Sequence, residues 1–236
     1  MRKILIAVAA VSSLAVAALA LKPSSPNEAR SAPATETGAN AGLPDPDAPL
    51  TRESVTQDPV APTVSPPNAD VTMVMFFDYA CPVCRRTHPD VQRLLAQDKR
   101  IKLVYRDWPI FGGASVEAAR AAIASKYQGK HAAFDDALMR MQGRLSSSTI
   151  RAAADKAGVD WPRLQADLKR HAGEIDALIA RNSAMAPAIG LQGTPGFIVG
   201  AYLIPGGMDL SGMKSAVAEA RANPEGSPAA APASTN

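Results

Sequence analysis

All eleven aromatic residues of this 236-residue chain lie between Phe76 and Tyr202. The first 75 residues contain no aromatic side chain, but they contain ten of the twenty prolines. Aromatic side chains supply much of the buried area of a core, whereas proline removes backbone donors and blocks helices. The sequence therefore predicts that a packed core begins near residue 70, and the roughly 150 residues that follow are enough for one domain.

The charge and cysteine content exclude several classes of protein. The formal net charge is +3 and no basic stripe is present, so the sequence does not predict nucleic-acid binding. Only one long apolar run occurs, which argues against a membrane protein with several spans. Two cysteines are too few for a disulfide-dense scaffold.

Residues 1–21 have the pattern of a bacterial export signal. Arg2 and Lys3 precede an apolar run that ends in the small residues Ala18 and Ala20. The run is also long enough to stay as an uncleaved membrane anchor, and the sequence leaves both alternatives open. In either case the rest of the chain is exported, so we expect a periplasmic protein, free or tethered to the inner membrane.

Two further segments are predicted to be disordered. Residues 22–69 are rich in proline and poor in apolar surface, so they form a linker in this interpretation. Residues 223–236 are rich in proline, alanine and serine and form a disordered tail. Neither segment shows a repeat or a heptad pattern, and the folded domain is expected over residues 70–222.

The folded part is predicted to be an α/β domain with the element order βαβ, helices, ββα. A buried strand over residues 71–78, a helix over 81–97 and a strand over 101–106 form a βαβ unit with parallel pairing. An alanine-rich insert at about 114–189 has helical periodicity and breaks that predict four to five helices. A hairpin over residues 197–204 and a helix over 210–221 complete the domain.

The reactive chemistry is predicted at the motif Cys81-Pro82-Val83-Cys84, at the junction of a strand and a helix. The spacing places both sulfurs on the first helical turn and aims the first sulfur at unpaired N–H groups and the positive end of the helix dipole. Such surroundings lower a thiol pKa, and the thiolate is the reactive form. Pro82 fits the first turn, where the missing N–H costs nothing.

Three other interpretations of this motif compete with redox chemistry. A c-type haem site needs histidine directly after the second cysteine, where Arg85 stands instead. A zinc site could take Cys81, Cys84 and His88, but the fourth ligand would be distant in sequence. A purely structural disulfide would close too small a loop to constrain the unfolded chain much.

The segment Gly193-Thr194-Pro195-Gly196 immediately precedes the predicted strand at residue 197. A proline that opens a strand follows either a cis bond in a tight turn or an ordinary trans bond, and the sequence alone leaves both open.

The chain resembles the DsbA-like branch of the thioredoxin superfamily over nearly the whole folded part, in the segments FFDYACPVC, RxxHPxxQxLL, RDWPIFGGAS and GTPGFIVGAYLIPG. The resemblance implies a thioredoxin fold with an inserted helical domain. It implies that Cys81 is the solvent-facing nucleophile and Cys84 the buried resolving thiol. It further implies that Pro195 is cis, that Thr194 faces the sulfurs, and that Gly193 to Pro195 offer backbone to an extended substrate.

Two residues depart from the best-known oxidases of this family. Those oxidases carry histidine where this chain has Val83, which offers neither charge nor a side-chain donor. We therefore expect a pKa for Cys81 above the value of about 3.5 reached in DsbA, and a less oxidising couple. Thr194 is the residue type found in the isomerase relatives, whereas strong oxidases tend to carry valine.

Four further residues are candidates for a role near the site or in the core. Asp78 could relay a proton for Cys84, or it could be an acid that supports the start of the helix. His88 is expected to be a solvated or packing histidine. Trp108 and Phe111 are expected in the core, with some such side chains lining a substrate groove.

The sequence thus predicts a periplasmic protein disulfide oxidoreductase with no cofactor beyond the Cys81–Cys84 pair and no resident metal. Its partners would be reduced or misoxidised exported proteins and a membrane redox protein, either a DsbB-like oxidase or a DsbD-like reductase. One alternative is a reductase or isomerase kept reduced by a membrane donor. Another is a non-catalytic, thiol-dependent metal-binding or holdase module. Because the linker lacks apolar periodicity, we expect a monomer.

Overall fold

The structure is a computed structural model that describes residues 50–226. The predicted signal or anchor, the linker up to residue 49 and the tail from residue 227 lie outside the described residues. The described residues form one mixed sheet of five strands: β1 (Thr63–Val64), β2 (Val71–Phe77), β3 (Ile101–Asp107), β4 (Gly196–Val199) and β5 (Tyr202–Pro205).

The strand order in the sheet is β1-β3-β2-β4-β5. The central pair β2 and β3 is parallel, with Phe77 opposite Asp107, and the other neighbours are antiparallel. The parallel pairing predicted for the βαβ unit and the hairpin of β4 and β5 are therefore confirmed.

Eight α-helices accompany the sheet in the described part of the chain: α1 (Arg52–Thr56), α2 (Pro82–Gln97), α3 (Gly113–Ser125), α4 (His131–Met139), α5 (Ser147–Lys156), α6 (Trp161–Arg170), α7 (Ala172–Ala188) and α8 (Leu210–Ala222). Helices α3 to α7, with a short 3₁₀ turn at Lys126–Gln128, form the predicted insert between β3 and β4. None of the helices within residues 50–226 is both long enough and apolar enough to span a bilayer.

The core lies on both faces of the central strands. Met73, Val74, Phe76 and Phe77 of β2 have no exposed surface. Such a strand, buried on both faces, explains why residues 71–77 are apolar almost throughout rather than alternating. The element order βαβ, helices, ββα is confirmed.

The predicted start of the domain near residue 70 is wrong, because residues 50–69 belong to the fold. Helix α1 begins with a capping box in which Thr51 and Ser54 exchange hydrogen bonds between side chain and backbone. Val55 and Val60 are nearly fully buried, and β1 pairs with β3. Small apolar side chains and backbone contacts hold this segment, so its lack of aromatic residues is misleading.

A buried arginine of β3 anchors the same segment. Arg106 has no exposed surface and donates to Asp58 Oδ2 at 3.1 Å, to the Val55 carbonyl at 2.7 Å and to Asn182 Oδ1 at 3.1 Å. Arg181 of α7 donates to the same oxygen of Asp58 at 2.9 Å. These contacts fasten residues 54–58 to β3 and α7.

Candidate active site

The two cysteines lie just beyond the carboxyl end of β2, where the chain enters α2. Cys81 is the N-cap residue in an extended conformation, and its Sγ accepts the backbone N–H of Cys84 at 3.3 Å. Pro82 occupies the first turn, as predicted from the sequence. This arrangement directs the free amides and the positive end of the helix dipole at the Cys81 sulfur.

Both cysteines are free thiols, and both are buried. Cys81 is 2% exposed and Cys84 is 4% exposed. The expectation that Cys81 faces solvent is therefore wrong for this state, because the loop that precedes β4 packs over its sulfur.

That loop carries Thr194 and Pro195, joined by a cis peptide bond. Cys81 Sγ lies 3.3 Å from the Thr194 carbonyl oxygen, to which the thiol donates when it is protonated. The Thr194 hydroxyl is buried without a partner at hydrogen-bond geometry within the described residues. Pro195 is buried, and Gly193 before them is partly exposed, with open space where a side chain would stand.

The pKa values of the two thiols move in opposite directions. A hydrogen bond with the Cys84 thiol lowers the pKa of Cys81 to about 6, with help from the Thr194 hydroxyl and the backbone N–H groups of Val83 and Cys84, although burial opposes the change. Burial, followed by the hydrogen bond with Cys81, raises the pKa of Cys84. At neutral pH the site therefore holds a Cys81 thiolate beside a Cys84 thiol.

Val83 acts on Cys81 only through its backbone. Its side chain is partly buried and packs on the core, and it donates no hydrogen bond. A pKa of about 6 for Cys81 agrees with the expectation of a weaker acid than the cysteine of DsbA.

The carboxylate of Asp78 supports a loop rather than a sulfur. Its Oδ2 accepts the backbone N–H groups of Ile110 and Phe111 at 2.7 and 3.0 Å. Its Oδ1 accepts the Ala80 N–H and the Ser115 hydroxyl, both at 2.7 Å. With four donors already bound, the carboxylate is positioned as a structural support. This geometry argues against the proton relay, but the carboxylate supports the loop before α3 and not the start of α2, so the second interpretation is not confirmed either.

Of the remaining predicted residues, two are buried and one is exposed. His88 is 1% exposed and bonds to Asp136 Oδ1 at 2.8 Å, so it is a packing residue of α2 against α4. Trp108 is buried as expected, whereas Phe111 is 54% exposed and its assignment to the core is wrong. Asp78 holds the backbone of Phe111 in the loop between β3 and α3, which leaves this ring at the surface.

Two features near the site were missed. The first is the loop between β5 and α8, where Gly206 donates its N–H to the Pro195 carbonyl at 2.9 Å. The Gly-Gly pair after the predicted hairpin was an available signal. The second is a pair of buried carboxyl groups, Asp107 and Asp135, whose pKa values burial raises. Nothing in the local sequence indicates their burial.

Within residues 50–226, no group of three or more histidine, cysteine or acidic side chains is placed to hold a metal ion.

The fold and the site together define a thioredoxin-like protein with a redox-type cysteine pair. A family model described as "Thioredoxin" matches residues 59–219, well over half of the chain, and the chain belongs to this family.

Solved structures similar to this chain agree with that assignment. A thioredoxin-like oxidoreductase from Silicibacter pomeroyi is 44% identical, with 73% of this chain and 99% of that chain covered and a TM-score of 0.69. The thiol-disulfide exchange protein alpha-DsbA2 from Wolbachia pipientis is 29% identical, covering 71% and 90%, with a TM-score of 0.67. A periplasmic thioredoxin-like protein from Salmonella enterica is 25% identical, covering 74% and 99%, with a TM-score of 0.63.

Curated relatives include a Na⁺/H⁺ antiporter NhaA from Salinispora tropica, which is 30% identical over 68% of this chain. The chain spans only about a quarter of that antiporter's length, 25%. The fold, the two cysteines three positions apart and the similar solved structures support a thiol-disulfide oxidoreductase.

Proposed function

We propose that this chain is a periplasmic thiol:disulfide oxidoreductase that introduces or exchanges disulfides in exported proteins through Cys81 and Cys84. The observation that carries the proposal is the pairing of a Cys81 thiol of pKa about 6 with a Cys84 thiol of raised pKa, beside the cis Thr194–Pro195 loop. The residue 1–21 pattern and the periplasmic neighbour from Salmonella support the compartment.

In the oxidising direction, the reaction starts from a disulfide between Cys81 and Cys84. A substrate thiolate attacks Cys81 Sγ, the internal disulfide breaks, and the Cys84 sulfur leaves with the electron pair and takes up a proton. A second substrate thiolate then attacks the substrate sulfur of the mixed disulfide and expels the Cys81 thiolate. The substrate dithiol loses two electrons, and the cysteine pair gains them.

The geometry supports Cys81 as the better leaving group. The Cys84 thiol, the Thr194 side chain and the N–H groups of the first turn of α2 all lower the pKa of Cys81 and so favour its thiolate. Cys84 has a raised pKa, so its sulfur stays protonated after it has left the disulfide. The backbone of Gly193 to Pro195 would pair with an extended substrate segment.

No cofactor beyond the cysteine pair enters these steps. The pair must be returned to the disulfide by an oxidant, and we propose a quinone-linked membrane oxidase of the DsbB-like kind. The substrates would be exported proteins with reduced or misplaced disulfides.

A second function has its own support. A Cys81 pKa of about 6 lies between the values of about 3.5 and 7 for DsbA and thioredoxin, and Thr194 is the residue type of the isomerase relatives. A reductase or isomerase kept reduced by a DsbD-like membrane donor therefore remains the alternative.

The reduction potential of the Cys81–Cys84 pair distinguishes an oxidase from a reductase or isomerase. The protein is equilibrated with glutathione buffers, and free thiols are counted by alkylation and mass measurement. A potential near about −120 mV indicates an oxidase, and a potential near about −200 mV or lower indicates the reductase or isomerase.

A trapping experiment tests the shared chemistry. Cys84→Ser should accumulate a mixed disulfide with a protein that carries a disulfide, because the Cys81 thiolate attacks that disulfide, one substrate thiolate leaves, and no Cys84 thiol resolves the product; the matched control Cys81→Ser should accumulate none. Equal trapping by both variants would overturn the proposed roles.

A further inference from the structure

The loop between β5 and α8 closes one side of the redox site. Gly206 is bound to the Pro195 carbonyl, and Gly207 follows it and faces the first two turns of α2. The loop therefore contacts both halves of the site, the helix that carries the cysteines and the loop that carries Thr194.

Gly207 stands where no side chain fits. A Cβ atom there would lie 2.8 Å from Thr87 Oγ1, 3.0 Å from Val83 Cγ1 and 3.9 Å from Pro195 Cγ. The backbone of Gly207 is not left-handed, unlike that of Gly206, whose φ is +86°. What this position requires is thus the absence of a side chain, not the conformational freedom of glycine.

The surrounding side chains cannot easily give way. Thr87 is 7% exposed, and Thr87 and Val83 are both β-branched residues on a helix, where χ1 is restricted. A methyl group at Gly207 would therefore push the loop and α2 apart instead of merely rotating one side chain.

We propose that Gly207 is a positioning residue: its missing side chain lets the β5–α8 loop hold the start of α2 against the Thr194–Pro195 loop and so keeps Thr194 in contact with Cys81. This inference rests on the proposed thiol-disulfide function. Glycine at this position would tune the reactivity of Cys81 without touching the reacting sulfur.

The test is Gly207→Ala. Separation of the two elements moves the Thr194 side chain, one of the groups that lower the pKa of Cys81, away from the thiolate, so this pKa should rise by up to about one pH unit. The pKa is read from thiolate absorbance and from the pH profile of iodoacetamide alkylation. At pH 5 alkylation should slow by up to about tenfold.

Two comparisons make the result specific. Gly173→Ala is the matched control, because Gly173 lies on α7 with an ordinary φ and no atom within 4 Å of its Cβ position, and it should leave the Cys81 profile unchanged. Thr87→Ala removes the closest obstacle, so the double variant Thr87→Ala/Gly207→Ala should recover at least half of the shift.

An unchanged Cys81 profile in folded Gly207→Ala would overturn the proposal, as would a shift that Thr87→Ala does not relieve. If Gly207→Ala fails to fold, the double variant is compared with Thr87→Ala alone. The remaining approach to Val83 still predicts a smaller rise, and identical profiles would refute it. Alkylation needs no disulfide exchange, so a failure of the proposed function would show separately, as absent trapping by Cys84→Ser.

Discussion

Replacement of Asp135 by asparagine is expected to stabilise the protein above neutral pH and to change its stability little near pH 4. Asp135 is fully buried on α4, where its Oδ1 accepts the Tyr79 hydroxyl at 3.2 Å. Its Oδ2 is buried without a hydrogen-bond partner in the described part of the chain. Burial raises the pKa of Asp135 from 3.8 to about 7, with a smaller contribution from Asp136, although the Tyr79 hydrogen bond opposes the rise.

The direction in which stability changes with pH follows from the number of protons that the folded and unfolded states bind. Between about pH 4 and pH 7 the unfolded chain has an ionised Asp135 while the folded state still holds the proton, so stability falls as pH rises through this window. At 1.36 kcal/mol per pH unit, a pKa displaced from 3.8 to about 7 costs up to about 4 kcal/mol above pH 7. Asparagine avoids this cost because it does not ionise, and it keeps an acceptor for Tyr79.

The measurement is urea unfolding of both proteins at several pH values from about 4 to 8.5, followed by comparison of the unfolding free energies. The advantage of Asp135→Asn should grow with pH and level off above about pH 7. A difference that does not vary with pH would refute the reasoning.

The neighbouring Asp136 provides a control of opposite sign. Burial pushes its pKa up, but hydrogen bonds with Arg140 and His88 lower it below the ordinary value. Asp136→Asn should therefore destabilise the protein at neutral pH, and this cost should vanish in acid. If the effects of both variants on stability changed in the same direction with pH, a raised pKa for Asp135 and a lowered pKa for Asp136 could not both be right.

Three further outcomes are expected. Arg106→Leu leaves Asp58 in a buried site with only part of its charge compensated and should cost about 3–5 kcal/mol in urea unfolding. Arg151→Ala breaks an exposed ion pair with Asp155 and a contact with the Trp161 ring and should cost no more than about 1 kcal/mol. Asp78→Asn sets an amide against backbone donors and should lower stability by about 1–3 kcal/mol while leaving the rate of thiol-disulfide exchange nearly unchanged; a large loss of that rate would restore the proton relay. Light scattering should show a monomer, because the linker lacks apolar periodicity, and a stable dimer or trimer would contradict that expectation.

The sequence predicted those parts of the fold whose cause is local. The apolar run of β2, the placement of the two cysteines at the start of α2 and the breaks in the alanine-rich insert all follow from neighbouring residues. The redox pair was predictable for the same reason, because a spacing of three places both sulfurs on one helical turn.

The errors came from partners that are distant in the chain. Residues 50–69 resemble a linker in composition, but Asp58 meets Arg106 across 48 residues and Arg181 across 123. A charged side chain at the end of an apolar strand gives no sign that its counter-ion lies in a proline-rich segment. Phe111 was misplaced similarly, because the hydrogen bond that fixes its backbone at the surface comes from Asp78, 33 residues earlier.

The same division runs through the active site. The amides that lower the pKa of Cys81 belong to its own helix and follow from the motif, whereas Thr194 reaches the sulfur from 113 residues away. How closely these two parts meet depends on Gly207, at a third place in the chain. The motif thus determines which sulfur reacts, and long-range packing adjusts how reactive it is. Val83 can therefore lack a charged or hydrogen-bonding side chain while Cys81 still has a pKa near 6.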